Sequence, residues 1–339
     1  MNSRVLVIQT AFLGDAILTL PQIQEIKRKF GYSKIDVVCT PATKEIFLLS
    51  PYVESVIVLD KKNKHKSLIS TIKFALRLRN QKYEYLFSPH RSFRSSIIAL
   101  FSGANHKTGF DNATLSFVYS HKIKYEKKLH EVARNLSLLK DPELLRNWKI
   151  LPECNLPEKN ILENLPLNST DNLIAVAPGS VWETKKYPKE YFIQLVSKLA
   201  SEKYTILLIG GKEDENLCAE IKNSADNTNN IINLAGKLKI SESISVLKKC
   251  RLLICNDSAP THMGMCANIP VLTIYCSTVP DFGFYPYNSK SSFVSYDKLE
   301  CKPCGIHGHQ KCPVNTFDCG FKLTPETVYN EVKMLLEKN

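Results

Sequence analysis

Apolar runs of five or six residues recur along the first half of the chain: RVLVIQ, IDVVC, SVIVL and YEYLFS. Between them lie stretches such as LPQIQEIKRKF and LISTIKFALRL, in which apolar residues return every three or four positions. Short continuous runs suit strands buried on both faces, and the 3.6-residue period suits amphipathic helices, so the alternation predicts βα units around a parallel sheet. A polar stretch, PECNLPEKNILENLPLNSTD, interrupts the pattern, which restarts with LIAVAPG, YTILLIGG, NIINLAG, RLLICN and PVLTIY. The fold class is therefore α/β, with two Rossmann-like domains over residues 1–165 and 166–339. In TPETVYNEVKMLLEK, Thr324 is placed to cap a closing helix and Pro325 to occupy its first position. That helix is free to pack back on the first domain.

In open α/β sheets ligands bind beyond the carboxyl ends of the strands, so the residues after each run carry the functional signal. After RVLVIQ the chain reads TAFLGDAILTLP. A dinucleotide-binding turn would place several glycines here, whereas this one has Gly14 followed by Asp15. A carboxylate in the first turn of a helix is stabilised there and repels phosphate, so the first helix is a poor nucleotide site. In the second half, PGSVWETKKYP offers a small-residue turn, the hydroxyl of Ser180 and the cations Lys185 and Lys186. NDSAPTH follows the strand RLLIC and opens a helix, so Ser258 and the amides beside it face the same strand-end region. Taken singly, Asp257 also suits a helix cap and His262 a buried core position; their joint appearance at successive strand ends favours an anion site.

Composition adds compartment and charge. The 339 residues carry a net charge of +12, and residues 1–150 hold 25 Lys and Arg against 12 Asp and Glu, while residues 151–339 are nearly neutral. A basic half beside a neutral half calls for an anionic partner on one domain only. Within it, KKNKHK at 61–66 suits either a solvated surface or that partner. Arg91 and Arg94 in SPHRSFRSS follow the strand YEYLF and are candidate ligands of carboxylate or phosphate. No apolar run reaches the ~18 residues of a membrane span, and MNSRVLVIQT has no signal-peptide pattern, so a cytoplasmic protein is expected. Of the eleven cysteines, Cys39, Cys250, Cys255, Cys266 and Cys276 sit in or beside apolar runs and read as reduced core residues.

GDAILTLP, PGSVWETKKYP and the long block NLAGKLKISESISVLKKCRLLICNDSAPTHMGMCANIPVLTIYCSTVP, with the cysteine-bearing tail, together resemble the ADP-heptose-using heptosyltransferases of bacterial lipopolysaccharide core synthesis, in order and over nearly the whole chain. The resemblance implies a GT-B fold, two Rossmann-like domains facing a central cleft, with the acceptor on the first and the nucleotide sugar on the second. It implies inverting transfer with no catalytic metal or cofactor. By motif position, Asp15 matches the general base, Lys185 the lysine on the donor phosphates and Ser180 a hydroxyl in the same loop. Asp257, Ser258 and His262 match the strand-end block near diphosphate and sugar, Glu215 a carboxylate on the ribose, and Leu238 an apolar flank to adenine. Ala259 stands where the block usually has glycine, which would cost about 1 kcal/mol if φ there were positive. The implied partners are an ADP-sugar and an anionic lipid A–Kdo-type acceptor, reached by peripheral contact with the inner membrane face; a monomer that binds no nucleic acid is expected.

Cys301, Cys304, Cys312 and Cys319 form C-x2-C-x7-C-x6-C around His307 and His309. Thiols and imidazoles so close are candidates for a structural zinc ion, with unligated thiols as the even alternative and disulfides the lesser one. Two rival functions stand beside the heptosyltransferase reading. One is a GT-B glycosyltransferase using another nucleotide sugar; the other is a basic nucleic-acid-binding protein with a zinc loop. Against the latter, the positive charge lies in the half without the cysteines.

Overall fold

The computed structural model describes residues 3–31, 34–157, 161–164 and 172–338. The chain divides into two compact units, Met1–Asn155 and Leu156–Asn339. The 165/166 boundary drawn from sequence falls outside the described residues; the break comes earlier, inside the same polar stretch.

In the first unit, strands β1 (Arg4–Ile8), β2 (Lys34–Cys39), β3 (Ser55–Val58), β4 (Tyr85–Ser88), β5 (His106–Phe110) and β6 (His121–Ile123) form one sheet. The order is β3-β2-β1-β4-β5-β6 and every pairing is parallel. The second unit repeats the plan with β7 (Leu173–Ala177), β8 (Thr205–Leu208), β9 (Ile231–Asn233), β10 (Leu252–Asn256), β11 (Val271–Tyr275) and β12 (Ser292–Ser295), ordered β12-β11-β10-β7-β8-β9 and again all parallel. Each unit is thus a doubly wound sheet whose strand order reverses beside its first strand, between β1 and β4 and between β7 and β10. Helices cover both faces of such a sheet, which is why LIAVA, LLICN and VLTIY are buried throughout. Truncating one of these side chains, as in Ile254→Ala, costs about 2–5 kcal/mol.

Local chemistry sets the element ends. Ser67 and Ser92 cap their helices by accepting from the N–H groups of Ser70 and Ser95. Thr324 caps the closing helix Pro325–Lys338 by accepting from Thr327, with Pro325 in its first position as the sequence indicates. This helix packs on the helix Lys189–Ser201 and on β12 of its own unit, burying Val328, Val332, Leu335 and Leu336. Cys39, Cys250, Cys255 and Cys276 lie in the core as free thiols. Ala259 opens the helix Ala259–Ala267 and is absent from the positive-φ residues, so the loss of glycine there brings no strain.

Candidate active site

In the second unit the switch point lies at the ends of β7 and β10, and of the sequence-predicted donor residues Ser180, Lys185, Asp257, Ser258 and His262 gather there. Lys185 Nζ stands 2.6 Å from Asp257 Oδ2, both side chains mostly shielded from solvent. The hydroxyl of Thr278 donates to the same carboxylate oxygen at 2.7 Å. Buried Asn256 ties the two strand-end loops together, donating to Pro178 O at 2.7 Å and accepting from Tyr187 N at 3.0 Å. Ser180 receives the Trp182 N–H, and the Ser258 hydroxyl donates to Asn256 O. Lys186, by contrast, pairs with Glu183 at the surface. The two lysines therefore differ: one is aimed into the strand-end region and the other away from it.

His262 is buried, and its imidazole is pushed down to about 3, first by burial and then by Lys185, so it is neutral. Its Nδ1, the Tyr275 hydroxyl and Ser277 Oγ are buried without a hydrogen-bond partner. All three belong to the neighbourhood of Lys185 and Asp257: Lys185 acts on His262, Asp257 acts on Tyr275, and Ser277 N donates to Thr184 O. Unmet polar groups around a shielded ion pair are what a polar ligand would satisfy.

Glu215 begins the helix Glu215–Ser224 beyond β8, and its carboxylate lies against Gly236 beyond β9. Leu238 follows in the same loop, half-buried. Sequence reasoning passed over the preceding residue, Asp214. Its carboxylate occupies the space a side chain at Gly179 would need and accepts from Gly211 N at 2.9 Å, which binds the loop after β8 to the turn carrying Ser180. That carboxyl is raised by burial.

In the first unit the switch point lies at the ends of β1 and β4. Asp15 is half-buried in the first turn of the helix Leu13–Phe30. Gln9 braces the turn, donating to Thr19 Oγ1, which donates in turn to Asp15 O. Arg91 lies over the Tyr125 ring at 3.9 Å. The Tyr125 hydroxyl accepts from Arg134 Nη1 at 2.7 Å, and Arg134 Nε pairs with Glu131 at 2.8 Å. Glu131 is fully buried and its carboxyl is pushed up to about 7 by burial; Arg134 and Arg91 oppose the rise and Asp15 adds to it. None of Tyr125, Glu131 or Arg134 carried a signal in the sequence.

Arg94 holds the backbone of the basic loop, donating to His65 O at 2.6 Å and to Lys66 O. It anchors that loop rather than presenting an open fork. Lys61, from the KKNKHK run, donates to Thr10 O at 2.8 Å, and its ammonium is lowered by burial and then by Arg94. His90 stands 2.9 Å from Thr10 Oγ1 and from Ser95 Oγ, and burial, then Lys61 and Arg91, push it down to about 4. Lys61 therefore belongs to the strand-end cluster, and only its place after β3 pointed to it.

Cys301, Cys304, Cys312 and Cys319 are free thiols near enough for Cys304 and Cys319 to respond to the charges of the others. Among the described residues no group of three or more His, Cys, Asp or Glu is placed to hold a metal ion.

The sequence profile of glycosyltransferase family 9 (heptosyltransferase) matches residues 71–313. The chain belongs to this family. Lipopolysaccharide heptosyltransferase 2 of Escherichia coli (strain K12) is 23% identical over 352 residues, covering 98% of each chain. Among solved structures, a family 9 glycosyltransferase from Veillonella parvula superposes with a TM-score of 0.87 at 22% identity, over 100% of this chain and 99% of that one. An Escherichia coli heptosyltransferase solved with ADP-2-deoxy-2-fluoro heptose gives 0.72 at 19%, over 98% and 99%. The two parallel six-stranded sheets of this family 9 glycosyltransferase are those of the GT-B heptosyltransferase structures. The chain is a glycosyltransferase.

Proposed function

We propose that this family 9 glycosyltransferase moves heptose from ADP-L-glycero-D-manno-heptose to the inner core of lipopolysaccharide, on a lipid A–Kdo or already heptosylated acceptor, with inversion. The observation that carries the reading is the shielded Lys185–Asp257 pair at the switch point of the second sheet, ringed by unpartnered buried polar atoms. Lys185 takes the donor diphosphate, with Ser180, Ser258 and the amides at the start of the helix Ala259–Ala267 beside it. Glu215 meets the ribose and Leu238 the adenine, while His262, neutral and buried, backs the site. Asp15 accepts the proton of the acceptor hydroxyl as that oxygen bonds to the anomeric carbon. The bond from that carbon to the diphosphate breaks, its electron pair leaves with ADP, and Lys185 meets the added negative charge. No step calls on a metal ion.

Arg91 is the ligand for the acceptor's phosphates and carboxylates, and Arg94 serves by holding the loop that carries Lys61. The same loop supplies membrane contact. Lys62, Lys64 and Lys66 precede Leu68 and Ile69, whose side chains are 47% and 67% exposed. Cations followed by exposed apolar groups suit an anionic bilayer surface, and among the described residues no helix is long and apolar enough to cross one. The protein is thus read as cytoplasmic and peripheral at the inner membrane.

The test is direct. With ADP-L-glycero-D-manno-heptose and a Kdo-terminated lipid A, the product should gain one heptose and ADP should appear. Thermal shift with ADP should exceed that with UDP or GDP. Transfer from a different nucleotide sugar, with none from ADP-heptose, would establish the rival glycosyltransferase reading. Sedimentation with anionic vesicles should fall as salt rises, because exposed charges are screened beyond ~8 Å at physiological ionic strength; salt-independent sedimentation would remove the electrostatic part of the attachment.

A further inference from the structure

The cysteine-bearing segment after β12 is docked on the turn that carries Lys185. Thr184 N and Thr184 Oγ1 donate to His309 O at 3.0 and 3.1 Å, and His309 N donates back to Thr184 Oγ1 at 2.8 Å. Gln310 Nε2 donates to Val181 O at 2.9 Å. Cys304 N donates to Ser277 O, and Ser277 N to Thr184 O, so the end of β11 bridges the two loops. At the base of the segment Lys302, almost wholly buried, donates to Tyr275 O and Tyr296 O and pairs with Asp297. Gly308 has φ +74°, and a Cβ there would stand 2.9 Å from both Thr184 Oγ1 and Ser277 Oγ and 3.3 Å from Lys185 Cγ. The backbone can come this close to the lysine only as glycine.

This docking puts the His307 ring beside Trp182, near-parallel with centroids 6.0 Å apart. Lys185 and Asp257 both act on the charge of that ring: burial disfavours the imidazolium most, Lys185 disfavours it further and Asp257 favours it. His307 is thus an exposed side chain placed beside the ion pair to which the diphosphate has been assigned. Ser277 Oγ, buried and unpartnered, lies under the same backbone.

We propose that residues 304–310 are a fixed wall of the nucleotide-sugar site and that His307 is a further ligand of the donor's diphosphate. The inference rests on the reading of Lys185 as the diphosphate lysine. The wall's second effect is positional: Thr184, held by three hydrogen bonds to His309, sets the direction of its neighbour Lys185. This gives the segment a role that needs no metal.

Calorimetric titration of the full chain with ADP and with AMP separates the outcomes. His307→Ala should weaken ADP about tenfold, the worth of one hydrogen bond to a charged oxygen, and AMP much less. His307→Gln, which keeps an N–H donor, should recover most of the loss. Gly308→Ala should also weaken ADP, through displaced Thr184 and Lys185, with the melting temperature of each variant reporting that it is folded. His307→Ala binding ADP as the parent does, or losing ADP and AMP equally, would overturn the diphosphate contact. Lys185→Ala in the same series distinguishes the levels. A loss there with none at His307 defeats this inference alone, whereas no loss at Lys185 defeats the donor-site reading and this inference with it.

Discussion

The two units share one strand order and place their polar residues at the same switch point, yet they hold their cations in opposite ways. In the second unit Lys185 is paired with Asp257 and shielded, and the unit is nearly neutral. In the first, Arg91 rests on an aromatic ring, Arg94 on two carbonyls and Lys61 on a third, all neutral partners that fix the side chain and leave its charge uncancelled. A paired lysine is preorganised for one small anion of fixed geometry. An uncancelled set of cations produces a longer-ranged field, suited to a large anion at a charged surface. On the proposed function the fold is one scaffold used twice, and the partner of each cation tells the uses apart.

The strongest way to break this division is at Asp15, a carboxylate in the basic unit. Asp15→Asn should lower kcat by ~10²–10⁴ and leave ADP affinity unchanged, measured by steady-state kinetics and calorimetry. Near-normal turnover would return Asp15 to a structural role in the first helical turn. Next in size is Lys185→Ala, expected to cost about 10²-fold in kcat/KM because it meets charge that grows as ADP departs. Lys186→Ala should cost less than about threefold, since its partner Glu183 is an exposed one. Equal losses at the two lysines would mean that the pairing with Asp257 does not mark the donor cation.

The smallest effect concerns pH and sets one histidine of each unit side by side. His90 is pushed down to about 4 and His262 to about 3 from an ordinary 6.5. In the unfolded chain both gain a proton near pH 6.5, while the folded chain refuses it until pH falls to those values. The unfolded state then binds more protons, so stability present above pH 6.5 is lost progressively as pH falls towards 4. His90→Asn and His262→Gln should each flatten the slope of stability against pH between 6.5 and 4, read by denaturant unfolding, without changing the slope above 7. An unaltered slope in both variants would mean that the imidazoles titrate normally.

Nine of the twelve strands were legible because a strand covered on both faces must be apolar along its length. The other three, HKTGF, HKI and SFVS, are short and begin with polar residues, and two of them, β6 and β12, are sheet edges with one free side. The candidate residues Asp15, Ser180, Lys185, Asp257 and Ser258 could be named since each lies in the segment that follows its strand. Lys61 follows β3 in the same way, yet its charge run reads equally as solvated surface. What could not be read was contact across sequence: His309 meets Thr184 from 125 residues away, and Tyr125 meets Arg91 through a turn with no motif. The cysteine spacing suggested a metal ligand set, and it gave no hint that the backbone of that segment is committed to the turn before Lys185.

The division of labour between the two units is tested most directly by crossing two variants with two ligands. ADP affinity by calorimetry and acceptor KM by steady-state kinetics are measured for Lys185→Ala and Arg91→Ala. The account predicts a crossed pattern: Lys185→Ala weakens ADP by roughly tenfold or more and leaves acceptor KM alone, while Arg91→Ala raises acceptor KM by a similar factor and leaves ADP alone. A variant that moved both quantities equally, or an Arg91→Ala enzyme that lost ADP instead of acceptor, would contradict it.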